Sequence, residues 1–81
     1  MIDDRQKAEK LARAIVCDIK LYNEDKIARL KAAASFEAAL EGLRGELAEG
    51  RELFDARVAP ALRGIFDEAV KLELGTLWLK S

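Results

Sequence analysis

A single proline, Pro60, punctuates 81 residues, and the five glycines are scattered rather than paired. A chain with so few breakers has few places to turn, so long helices are what it builds most readily. The apolar residues agree with that. Phe36, Leu40, Leu43, Leu47, Gly50, Phe54 and Val58 recur at spacings of three and four, which is the seam of a heptad pattern. Ser35 stands where an N-cap belongs, so the spacing predicts a helix over about 36–58. Ahead of it, Asp3 or Asp4 can cap a helix whose apolar face is Ala8, Leu11, Ala12, Ile15, Ile19 and Tyr22. Ile27, Leu30 and Ala33 stay on that face, which favours one continuous helix over about 3–33. The alternative is a break at Asn23, which would open a second, shorter helix. Pro60 suits the first turn of a third helix over about 60–74, with Leu62, Ile65, Phe66, Ala69 and Val70 inward and Gly75 as its stop. An apolar tail over 75–81 follows.

The expected fold is therefore all-α. A three-helix bundle, built on a long antiparallel helical hairpin, fills residues 1–81 as one domain. A tight turn at 34–35 sets the register. Leu11 then faces Val58, Ile15 faces Phe54, Ile19 faces Gly50, Tyr22 faces Leu47 and Ala33 faces Phe36. Apolar meets apolar along the whole length. The same register sets Asp18 opposite Arg51, and an arginine beside a core needs a carboxylate. Asp18, Tyr22, Asn23 and Arg51 thus form the expected polar network near the core, a structural cluster that holds the register.

Composition removes several functions. The chain carries 14 basic and 15 acidic residues, interspersed throughout, for a net charge of −1. Nucleic acid and anionic membranes both reward clustered basic charge, so neither is an expected partner. No apolar run approaches the roughly 18 residues of a membrane helix. The polar, acidic start Met1–Gln6 does not read as a secretory signal, and a cytoplasmic location is the expectation. Histidine is absent. Cys17 then lacks a base to make it a nucleophile, and its expected state is a buried free thiol. Glu46, Glu49 and Glu52 share helical spacing but lie off the seam, so they read as a solvated face rather than a metal cluster. No catalytic residue, metal or cofactor is expected.

Two stripes are left over. Ala38, Gly42, Gly45 and Ala56 lie on the back of the second helix and allow close approach of another helix, either the third helix of this chain or one of a second chain. Leu72, Leu74, Leu77, Trp78 and Leu79 crowd the C-terminus, too apolar for a solvated tail, so they either fold back onto the bundle or dock on a partner. Burial in a chain of this size contributes about 120 kcal/mol, and ordering it costs about 120 kcal/mol. Self-association adds burial, so Ala38, Gly42, Gly45, Leu77, Trp78 and Leu79 are the expected interface, with a homodimer or another helical protein as partner.

The run Leu11-Ala12-Arg13-Ala14-Ile15-Val16-Cys17-Asp18-Ile19-Lys20-Leu21-Tyr22-Asn23-Glu24-Asp25-Lys26-Ile27, followed by Glu49-Gly50-Arg51-Glu52-Leu53-Phe54-Asp55-Ala56-Arg57-Val58 and Pro60, resembles a small helical segment of uncharacterised bacterial proteins. The resemblance covers most of the chain. Those segments often end longer proteins, some of them carrying a zinc-ribbon or signalling module. Cys17 stands where serine is usual, and the tail here is more apolar. The resemblance implies no activity, but it draws attention to Asp18, Tyr22, Asn23, Arg51 and Arg57. The expected function is a non-catalytic self-association or docking module. The alternative is a small regulatory or sensory domain that binds a small ligand near Asp18, Tyr22, Asn23 and Arg51.

Overall fold

The structure, a computed structural model, describes the backbone of residues 1–33 and 35–79 and the side chains of 1–32 and 35–77. Helix α1 spans Arg5–Tyr22. It starts where Asp4, in extended conformation, accepts a hydrogen bond from the Gln6 amide at 2.8 Å, the N-cap the acidic start anticipates. Ile2 just before it bridges to the distant segment around Val58: its N–H donates to the Arg57 carbonyl and its own carbonyl accepts from Ala59. Helices α2 (Glu24–Ala33), α3 (Phe36–Gly42) and α4 (Arg44–Arg57) follow. A 3-10 turn over Pro60–Leu62 leads into α5 (Gly64–Glu73), and α6 (Gly75–Leu79) closes the order. Among the described residues the fold is all-α.

Each expected long helix is interrupted, and each interruption has a local cause. The continuous helix over 3–33 breaks at Asn23, as the alternative reading has it. In an unbroken helix the Ile19 carbonyl would accept from the Asn23 backbone N–H. Here the Asn23 side-chain amide takes that carbonyl at 2.8 Å, and its backbone N–H moves to Lys20 at 3.4 Å. The side chain thus competes with the backbone for one acceptor, and α2 restarts with Ile27 donating to the Asn23 carbonyl. The helix over 36–58 bends at Leu43, whose ψ rises to 13° between Gly42 and the Arg44-Gly45 pair. Glycines hold a helix weakly, and a fully buried Leu43 draws the bend inward. Gly75 does not stop α5 in a left-handed turn. No glycine among the described residues has positive φ. The Phe36 ring packs beside Gly75, 3.7 Å from the place a Cβ would occupy, an ordinary packing distance.

The seam of the sequence becomes the core. Leu43, Gly50, Phe54 and Val58 are buried, with Phe36, Leu40 and Leu47 half-buried beside them. Phe54 meets Phe66 of α5 at 5.5 Å between ring centres, tilted 40°, within the preferred range for aromatic pairs. Helix α1 packs on both α4 and α5, while α2 packs on α3. Gly50 lies within the α1–α4 approach. A Cβ there would stand 2.9 Å from Ile15 Cγ2 and 3.1 Å from Ile19 Cδ1, so Ile19 does lie against Gly50. Val16 and Leu74, outside the expected inward stripes, are fully buried. Tyr22 departs the other way, 82% exposed. The pairing of Ala33 with Phe36 falls partly outside the described side chains.

Ion pairs tie the layers at the surface. Lys20 meets Glu73 at 3.6 Å across α1 and α5, and Lys26 donates to Glu46 at 2.8 Å across α2 and α4. The Lys26 hydrogen bond holds the Glu46 carboxyl below the ordinary glutamate range. A depressed folded value means that this contact stabilises the fold above the unfolded pKa and is lost as pH falls through the folded one. Acid titration should therefore remove up to about 1 kcal/mol below roughly pH 4.5 in the native chain. Glu46→Gln should show a flatter stability profile there, measured by urea unfolding at stepped pH. A slope identical in both would dismiss the contact.

Candidate functional site

Arg51 does not pair with Asp18. Its guanidinium faces away from α1, hydrogen-bonded to Asp67 of α5, and lies 3.7 Å from Asp55 one turn along α4. It also sits 5.6 Å over the Phe66 ring, a cation–π distance. The hydrogen bond from Arg51 to Asp67 raises the arginine pKa further. The reason lies in the helix wheel. Gly50 packs against Ile15 and Ile19 of α1, and Arg51, a hundred degrees further around, reaches Asp67 and Phe66 of α5 instead. This arginine ties α4 to α5. Arg51→Met should cost about 1 kcal/mol, and Arg51→Lys should recover only part of it because the planar fork is lost. Chemical denaturation of the three proteins measures this.

The other members of the expected network lie along one groove at the surface. Asp18, Tyr22 and Asn23 line a groove of about 300 Å³ between α1 and α4, floored by Ile15, Ile19 and Gly50 and bordered by Glu46, Glu49 and Leu53. Asp18 is exposed. Asn23 is occupied by its bond to Ile19, and Glu46 by Lys26. Leu53, 47% exposed, adds an apolar wall beside Tyr22. Nothing in the sequence pattern marks Leu53, since it sits one position off the buried seam.

A second groove, of about 460 Å³, runs beside the α1–α2 junction and is lined by Cys17, Lys20, Leu21, Glu24, Ile27, Ala28, Lys31 and Leu77. Cys17 is exposed there rather than buried. Ile15, Val16 and Ile19 fill the inward face, which leaves the thiol on the flank. Leu21 beside it is 61% exposed.

The expected interface residues separate. Ala38 and Gly45 are exposed, and Gly45 has open space around it. Gly42 is approached by Leu30, whose methyls lie 3.1 Å from the place of a Cβ. The small residue there serves α2–α3 packing within the chain. Leu77 packs half-buried on the core, while Leu72 stays 55% exposed. The side chains of Trp78 and Leu79 lie outside the described residues. Among the described residues, no group of three or more Cys, Asp or Glu could hold a metal, and no helix is long and apolar enough to cross a membrane. Comparison with family models, with curated proteins and with solved structures finds no match.

Proposed function

We propose that this chain is a non-catalytic helical module that self-associates. It is read as a three-helix bundle in which α1–α2, α3–α4 and α5 with its preceding turn each form one bent rod. One observation carries the reading. Leu21, Tyr22 and Leu53 are large apolar side chains left 61%, 82% and 47% exposed, all bordering grooves on α1. Clustered exposure of this kind marks a surface meant to be covered. A cytoplasmic setting accords with the composition, and a bacterial origin with the resemblance noted above.

Association is tested by mass and by melting. A dimer should show twice the chain mass in light scattering, and its Tm should rise across a hundredfold increase in concentration. A constant monomeric mass with a flat Tm would end this reading. A second reading, a small regulatory domain, is favoured by the groove that gathers Asp18, Tyr22 and Asn23, with Arg51 outside it. A Tm raised by a small cationic or amphiphilic compound, and insensitive to protein concentration, would support that reading.

A further inference from the structure

The face shared by α1 and α4 is polarised along its length. On α1, Lys7, Leu11, Ala14, Asp18 and Tyr22 follow one another at spacings of three and four, so they form one stripe. On α4, Glu46, Glu49, Leu53 and Arg57 do the same. Asp18, Tyr22, Glu49 and Leu53 all line the one groove, which shows that the two stripes adjoin. The helices run antiparallel, with Ile15 and Ile19 against Gly50 and Ile2 bonded to Arg57. Lys7 and Arg57 therefore share one end of the face, and Asp18 and Glu49 share the other. Leu11, Ala14 and Leu53 lie between. None of these four charged groups has an ion-pair partner among the described residues. At the basic end Asp4 is engaged in capping α1, and at the acidic end Lys26 is engaged by Glu46.

A surface that is positive at one end, apolar in the middle and negative at the other is complementary to itself turned by half a rotation. We infer that its occupant is a second copy of this chain, docked face to face about a two-fold axis near Ala14 and Leu53. In a two-fold interface, if residue i meets residue j then j meets i. An axis at Leu53 sets Arg57 of each copy opposite Glu49 of the other. An axis at Ala14 sets Lys7 level with position 21 of the other copy, next to Tyr22 on the stripe and within a turn of Asp18. With Gly50 set between Ile15 and Ile19, Leu53 falls about level with Ala14, so one axis satisfies both helices. The alanine at the centre lets the two α1 helices approach closely, and Leu53 and Tyr22 lose their exposure. This inference rests on the self-association proposed above and names its surface.

The test uses the full chain and charge reversal. Glu49→Arg sets arginine against arginine twice in the dimer, and Arg57→Glu sets glutamate against glutamate twice. Each variant alone should weaken self-association by roughly tenfold or more, with helicity by circular dichroism unchanged. An equimolar mixture of the two restores both opposite-charge contacts and should dimerise about as tightly as the native chain. A native chain that is monomeric throughout overturns the function and this surface together. A native dimer that tolerates both single reversals, or single variants whose mixture stays monomeric, overturns the surface and leaves self-association standing. Should either variant fail to fold, Leu53→Cys in a Cys17→Ser background decides the question. A short bismaleimide should link the two copies through residue 53 at concentrations where the native chain is dimeric, and absence of that link overturns the axis.

Discussion

Phe54→Ala should lower stability by about 3–5 kcal/mol, the usual loss for a buried aromatic. Phe54 is wholly buried, at the point where α4 meets Phe66 of α5. Removing the ring empties the centre of the packing and leaves Phe66 without its aromatic neighbour. Small domains hold only about 5–15 kcal/mol in total, so the variant should be substantially unfolded at modest urea concentrations. Phe54→Leu, which keeps much of the volume, should lose clearly less. Equal losses for both would mean that the site is loosely packed.

Gly50→Val should cost about 3 kcal/mol, at the upper end of overpacking losses. The first carbon alone would stand 2.9 Å from Ile15 Cγ2, 3.1 Å from Ile19 Cδ1 and 3.2 Å from Phe66 Cζ. The Ile15 methyl branches at Cβ and cannot swing away without moving the helix, so α1 and α4 must part. Gly45→Ala is the contrast on the same helix. No atom lies within 4 Å of a Cβ placed there, and the backbone φ is not positive. Replacing that glycine should raise stability by up to about 1 kcal/mol through the unfolded chain's lost freedom. Thermal or urea unfolding of the pair should move in opposite directions. A stabilised Gly50→Val would show that the helices are further apart than the structure places them.

How these residues read in advance follows from the range of the forces acting on them. The heptad seam from Phe36 to Val58 was legible because burial depends on periodicity alone, whichever neighbour supplies the cover. The Asp4 and Ser35 caps were legible because a side chain closing its own helix acts over two or three residues. The break at Asn23 stood between two readings. Local chemistry allowed the side chain to take the Ile19 carbonyl, but packing of Ile27 and of Leu30 against Gly42 had to favour the bent course.

The groove was half legible. Asp18, Tyr22 and Asn23 line one groove near the end of α1, and Leu53 borders it only through the position of α4. Arg51 was lost from the cluster because its choice of carboxylate depends on which helix lies alongside. A helix wheel gives the direction of a side chain relative to its own axis, whereas Asp67 became the partner only when α5 packed on that flank. Sequence by itself thus determined the helical class, the caps and the buried stripe of the second half, all of them local or periodic properties. Tertiary structure decided which of the two courses the chain takes at Asn23, which surface Cys17 and Tyr22 occupy, and which acid Arg51 holds. Each of those outcomes is a competition among residues distant in the chain, settled by close packing and by the desolvation of charge.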